Sequence, residues 1–300
     1  METDSRTSSL LVCGIDISES TALKIQHPRS GDHAILSFME RFDESLRSLD
    51  RDADSASDAE WFLWRVRGDE LVYLRCIPAG DDGNPNSESI VDALQEFIVS
   101  VQTVSSRLVA DLSFSLNLRA YAFILHSQGN LWDYRWHLMP KELGEALKNK
   151  DKLECMHGNL EASSLRDIQK DYFIDFIGFD VDLGFRVAEQ SEAHRMILSP
   201  YLAYLVMVGL EKNKISPFSI YSMGKCELKG CTIKETGLVE YPLYYVPIGN
   251  FSVLEEFTGE PIQINISKEI EKLEDFEKFR NDSYRFIYEK ALKHISADES

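Results

Sequence analysis

A chain of 300 residues with 44% hydrophobic, 27% charged and 11% aromatic side chains can bury a substantial core, as one large domain or two small ones, which excludes disorder, collagen-like repeats and coiled coil as its main state. Its 50 acidic residues outnumber 32 basic ones, a net charge of −18, so it repels polyanions unless its cations are gathered in one place, and no nucleic-acid scaffold is expected. No run reaches the roughly 18 uninterrupted apolar residues of a membrane span, and the start, METDSRTSS, lacks the basic region and apolar run of a signal peptide, so a cytoplasmic protein without membrane contact is expected.

The run LLVCGIDI is short, apolar and followed by a polar cluster, which predicts a buried strand with Asp16 at its C-terminal end. From Gly31 to Leu49, Ile35, Leu36, Met39, Phe42, Leu46 and Leu49 recur at helical spacing and predict an amphipathic helix, and the acidic stretch 50–60 predicts a solvated loop. WFLWRVR and ELVYLRCI read as strands joined through Gly68 and Asp69, a pair suited to a tight hairpin. A helix over 88–108 and a strand in SLNLRAYAFIL follow. Strand, helix, strand, strand, helix, strand is the split βαβ order of ferredoxin-like domains. In that topology the third strand lies between the first and second and runs antiparallel to the first, so Asp16 and Asp69 are expected to be neighbours.

Residues 127–171, with their Trp-rich start and Lys-rich middle, look like an insertion rather than a second core. YFIDFIGF then reads as strand and turn, DVDLGFRVAEQ as a short helix, RMILS as a strand and PYLAYLVMVGL as a helix. Residues 218–246 promise further strands, including CELKG and YPLYYV, and a last amphipathic helix runs from Ser267 to about Ile295. The five cysteines, Cys13, Cys76, Cys155, Cys226 and Cys231, contain no C-x-x-C pair, so reduced thiols are expected. The histidines have no metal-type spacing.

Two carboxylates converging at strand ends are hard oxygen ligands of the kind Mg²⁺ or Mn²⁺ prefers, which makes Asp16 and Asp69 a candidate phosphate-metal site. The plainer alternative has Asp16 capping a turn and Asp69 as a hairpin residue. Further segments take the chain beyond that pair. GIDISESTAL (14–23), RVRGDELVYL (65–74), the stretch 175–199 with its DVDLGFR core, and ELKG (227–230) followed by YPLYYV occur in the order and spacing of the class III nucleotide cyclases, which the chain resembles. These enzymes close a nucleoside triphosphate into a 3′,5′-cyclic monophosphate.

The resemblance implies an α+β fold, a ferredoxin-like βαββαβ cyclase core with additional C-terminal strands and helices. It implies a catalytic domain over 1–250, carrying the insertion, and a helical extension over 251–300 packing on the core or at a dimer interface. It implies two ions, Mn²⁺ or Mg²⁺, on Asp16, Asp69 and the Ile17 carbonyl; triphosphate contacts from Ser20, Thr21 and Lys229; Arg186 on the α-phosphate in the transition state; and base contacts from Arg65 and Asp175. The metals suit attack of a ribose hydroxyl on phosphorus with pyrophosphate leaving, and an arginine fork suits charge developing on phosphate.

Two positions depart from adenine-using members. Arg65 stands where they have lysine, and its larger head group favours a one-ring base. Asp182 stands where they have asparagine, and an ionised carboxylate cannot donate to the ribose. The D-x-G-F-R arrangement after a long insertion resembles the pyrimidine cyclases of bacterial anti-phage defence (Pycsar cyclases), whose cyclic UMP or cyclic CMP activates a separately encoded effector. The expected activity is therefore cyclisation of UTP, or of CTP, with adenylate cyclisation or a catalytically silent nucleotide-binding module as alternatives. The resemblance also implies a homodimer with the sites at its interface. A diguanylate cyclase is set aside because only Gly68-Asp69-Glu70 of its Gly-Gly-Asp-Glu-Phe hairpin is present.

Overall fold

The computed structural model describes residues 9–28, 30–51, 60–112, 116–126, 135–140, 155–156, 172–213, 217–249 and 264–298. Strand β1 (Ser9–Ile17) is buried on both faces, with only Asp16 partly open, because it lies inside a sheet covered on each side. Gly68, at φ +67°, makes the two-residue turn from β2 (Trp61–Arg67) to β3 (Glu70–Ile77). With β4 (Leu118–Leu125) these strands lie in the order β2-β3-β1-β4, every neighbouring pair antiparallel, which is the ferredoxin-like arrangement. The fold is α+β. The sheet continues past β4 through β8 (Arg195–Leu198), β10 (Tyr241–Pro247) and β9 (Tyr221–Cys226) to seven strands, with β4 and β8 parallel.

Helices α2 (Gly31–Arg51), α3 (Ser87–Leu112) and α5 (Pro200–Lys212) bury their apolar stripes against one face of this sheet, in a core that includes Phe38, Phe42, Phe97, Leu11, Ile15 and Met207. The other face is covered by α4 (Phe179–Ala188) and the segment 228–241, around Val12, Phe123, Leu183, Leu228 and Tyr241. Gly184 permits the first of these contacts, since a Cβ there would fall 2.3 Å from the Phe123 ring. The last helix, α6 (Ile266–Asp298), belongs to both cores: Leu273 is buried in the first, while Tyr284 is buried in the second and Phe276 packs on it.

Several expectations are corrected. The polar cluster after β1 forms a short helix, α1 (Ser20–Gln26), because Glu19 in the left-handed region (φ 60°) turns the chain directly into helix. CELKG is not a strand: pairing with β10 ends at Cys226, and Lys229 and Gly230 form a turn with Gly230 at φ +82°. The region 127–171 contributes β5 (Arg135–Pro140) and β6 (Cys155–Met156), which join β7 (Tyr172–Ile177) in a separate three-stranded sheet, order β6-β5-β7, so YFIDFI leaves the main sheet. Most of the expected insertion, the acidic stretch 52–59, and residues 250–263 lie outside the described residues. Among the described residues no helix is long and apolar enough to cross a membrane.

Where α6 meets α4, one buried guanidinium serves two carboxylates. Arg280 Nη1 donates to Asp180 Oδ1 at 3.0 Å, and Arg280 Nη2 lies 2.8 Å from Glu277 Oε2. Two acids on one cation, Glu277 buried and Asp180 half-buried, favour a retained proton, and burial pushes the Glu277 carboxyl up to about 7 despite Arg280. A folded-state value above the unfolded one of about 4.3 means that the folded chain holds this proton more tightly. The associated stability is complete below that unfolded value and is lost as pH rises through about 7. Glu277→Gln should therefore flatten the rise in melting temperature on going from pH 8 to pH 5, and at pH 8 should stabilise the protein by about 1–3 kcal/mol in urea unfolding. Unchanged pH dependence in the variant would contradict the assignment.

Candidate functional site

Alternation along β1 sends Leu11, Cys13, Ile15 and Ile17 into the first core and Leu10 and Val12 into the second, so Gly14 and Asp16 continue the second face. Asp16 pairs in register with Arg119 at the start of β4, and directly paired residues share a face. Arg119 Nε and Nη2 both reach Asp16 Oδ2, at 2.6 and 2.5 Å. Burial pushes the Asp16 carboxyl up, Arg119 opposes that, and the charges of Asp69 and Glu70 push it further up. The expected convergence of Asp16 and Asp69 is thus present as a like-charge pair. Asp69 Oδ2 is buried without a hydrogen-bond partner.

The hairpin that carries Asp69 is tied across β1. Tyr121 Oη donates to Glu70 Oε1 at 2.9 Å, and its ring occupies the space over Gly14, where a Cβ would lie 2.1 Å from the ring. The glycine of GIDI is what lets a tyrosine cross the strand and hold the residue next to Asp69. Glu70, Arg119 and Tyr121 were not singled out by sequence. LRAYAFIL shows an arginine at a strand start, but the register that sets it against Asp16 is not written in either strand.

A bulge brings the β2 arginines to the same face. Pairing between β2 and β3 shifts between Leu63 and Arg65, leaving Trp64 opposite no residue, after which Arg65 pairs with Val72 and Arg67 with Glu70. Without that bulge, strict alternation through Trp64 would send Arg65 to the side of Leu63, which packs on the first core. The Arg65 guanidinium lies 4.2 Å from the Trp64 ring centre and 6.0 Å from that of Phe185, and Arg67 lies 5.0 Å from Phe185. Burial and the neighbouring Arg67 lower the Arg65 pKa. Phe185 also meets Trp64, Tyr121 and Phe123 edge-on or tilted, with centroids 5.4–6.3 Å apart, making it the hub between α4 and the sheet.

Arg186 follows Phe185 and is ion-paired with Glu189 at 2.6 Å, its side chain 39% exposed. Asp182 is exposed one turn earlier. Burial and then Asp182 push the Cys231 thiol up to about 11, while Arg186 opposes, so the outer face of α4 and the turn bearing Lys229 are electrostatic neighbours. Lys229 is exposed at the tip of that turn. Asp175 sits on β7 opposite His137, with its side chain outside the described residues. Ile17 closes β1, and Ser20 and Thr21 form the first turn of α1.

The sequence-derived residues therefore fall into a carboxylate corner of Asp16 and Asp69, joined by Glu70 and Arg119, and an α4 group of Asp182, Arg186 and Lys229, with Arg65 and Phe185 between. Among the described residues no group of three or more His, Cys, Asp or Glu side chains is placed to hold an ion. Two carboxylates with a strand-end carbonyl suit a cation that takes its remaining ligands from water and phosphate, as Mg²⁺ does, and a buried, partnerless carboxylate oxygen suits a cation.

No protein-family model matches the chain, and no curated protein is similar to it in sequence. Solved structures that resemble it include the adenylyl cyclase CyaB from P. aeruginosa, at 13% identity and a TM-score of 0.48 over 80% of this chain and 93% of that one. The guanylyl cyclase Cya2 is similar at 9% identity and a TM-score of 0.47, over 79% of this chain and 91% of that one. An adenylate/guanylate cyclase/hydrolase from Silicibacter pomeroyi is similar at 11% identity and a TM-score of 0.41, over 80% of this chain and 96% of that one.

Proposed function

We propose that the protein is a divalent-cation-dependent nucleotidyl cyclase acting on a pyrimidine nucleoside triphosphate, UTP before CTP, and forming the 3′,5′-cyclic monophosphate and pyrophosphate. The observation that carries the proposal is the carboxylate corner: two acids held together at the end of a buried strand, one with a partnerless oxygen, on the sheet face that also bears Arg65 and α4. Asp16, Asp69 and the Ile17 carbonyl would hold Mn²⁺ or Mg²⁺. Such a cation, when bound, would supply Lewis acidity toward the attacking ribose hydroxyl and positive charge for the departing pyrophosphate. Arg119 now covers Asp16, and on yielding that carboxylate its guanidinium faces incoming phosphate. Arg186 supplies a permanent positive fork for the α-phosphate, and Lys229 a mobile point charge for the triphosphate tail.

Pyrimidine choice rests on crowding. The Arg65 guanidinium sits over the Trp64 ring with Arg67 two residues away on the same strand, so two guanidiniums and the Trp64 and Phe185 rings crowd the side on which a base would rest. A single ring needs less of that space. The division of the residues into a carboxylate corner and an α4 group supports two-fold pairing, each site combining the corner of one protomer with the α4 group of the other. A defence messenger acting on a separate effector is the role that fits such a product.

Incubating the purified protein with each ribonucleoside triphosphate and Mn²⁺, followed by mass spectrometry, should yield cyclic UMP or cyclic CMP, abolished by chelator. Asp69→Ala should lower the yield at least 100-fold, and unchanged yield would defeat the metal assignment. Asp69→Asn should raise the melting temperature without metal by a few degrees, since it removes a partnerless charge beside Asp16, and should erase the rise that Mn²⁺ produces in the wild type. Arg65→Lys should shift the ratio of purine to pyrimidine turnover upward by about tenfold if volume decides the base. Equal ratios would leave ATP or no base preference as the reading.

A further inference from the structure

The C-terminal helix α6 reaches both parts of the α4 group through directional contacts. Arg280 and Tyr284 are one turn apart on one face of the helix. Arg280 bonds Asp180 in the first turn of α4, and the Tyr284 ring lies 3.9 Å, centre to centre, from Phe179 at the start of α4. Tyr284 also engages Tyr241 at the head of β10, with their hydroxyl oxygens 2.7 Å apart. Tyr241 gives its own proton to the Cys231 carbonyl, so Tyr284 is the donor between the two tyrosines. Cys231 ends the turn that begins at Leu228 and carries Lys229 at its tip, and its amide returns to the Leu228 carbonyl at 3.0 Å. One face of α6 thus holds the helix of Arg186 by one arm and the turn of Lys229 by the other.

Stability alone is a weak reason for this arrangement. A buried guanidinium shared by one buried and one half-buried acid loses hydration that packed apolar residues of the same volume would not lose. Apolar contacts let helices slide and rotate, whereas an ion pair and a hydroxyl relay fix distance and direction. We infer that Arg280 and Tyr284 are positioning residues that set the placement of Arg186 and Lys229 for one triphosphate. The inference rests on the assignment of those two cations to triphosphate binding, and does not depend on which base is used or on turnover.

The test is calorimetric binding of inorganic triphosphate with Mn²⁺ to the full-length chain, with melting temperature recorded for every variant. Tyr284→Phe, which removes one oxygen and keeps the ring, should weaken binding about 3- to 10-fold with melting lowered by no more than a few degrees. That loss should vanish in a Lys229→Ala background. Arg280→Met should weaken binding at least tenfold, Arg280→Lys should recover part of it, and the loss should vanish in an Arg186→Ala background. If Arg280→Met does not fold, Asp180→Asn opens the same contact from the other side. Wild-type affinity in Tyr284→Phe and Asp180→Asn, losses that multiply with those of Lys229→Ala and Arg186→Ala, or a wild type that binds no triphosphate would each overturn the clamp. The predicted pattern in a protein that makes no cyclic nucleotide would uphold the clamp and retire the cyclase proposal. A working cyclase whose variants bind alike would retire the clamp alone.

Discussion

The rest of the site depends on one electrostatic constraint, the confinement of two carboxylates at the end of a buried strand. β1 ends beside the β2–β3 turn because of the sheet order, and partial burial weakens the screening of Asp16 from Asp69 by water. Arg119 compensates one acid, and the other keeps a partnerless oxygen. A fold selected for stability alone would have replaced one of the pair, so the corner is a stored liability that makes sense when a cation and a polyanionic substrate arrive together. The net charge of −18 points the same way, since a bare triphosphate would be repelled by the chain as a whole.

Around that corner the second face of the sheet is assembled by three local devices. Gly14 clears the path by which Tyr121 reaches Glu70, Gly184 lets α4 lie on Phe123, and the bulge at Trp64 delivers two arginines to Phe185. Each is a departure from regular geometry or size, and each lies within a few residues of a group placed in the site. The opposite face, where α2, α3 and α5 pack, is built from ordinary aliphatic and aromatic burial.

Most elements of the fold were legible because their hydrophobic periods are clean: the helix of Phe38, Phe42 and Leu46, the buried run of β1, and the hairpin at Gly68-Asp69. Their order was enough to place Asp16 beside Asp69. What was not legible depends on pairing between distant strands. Nothing in LRAYAFIL says that Arg119 will stand opposite Asp16, and nothing in WFLWRVR says which residue will be skipped. CELKG carries a strand-like Cys-Glu-Leu, yet the left-handed Gly230 and the buried Leu228 turn it into a corner. The first turn after Asp16 is polar enough to suggest a loop, and the left-handed Glu19 makes it a helix.

The skipped residue at Trp64 has a consequence for how this chain can diverge. A bulge absorbs one residue without changing the side of those that follow, so whether Trp64 is bulged decides the facing of the arginines as firmly as their identity does. A descendant that closed the bulge at unchanged length would keep both arginines in its sequence and present them to the other side of the sheet. In a set of relatives, a single-residue gap at Trp64 would leave the arginine pair on its present side, because only the unpaired residue is removed.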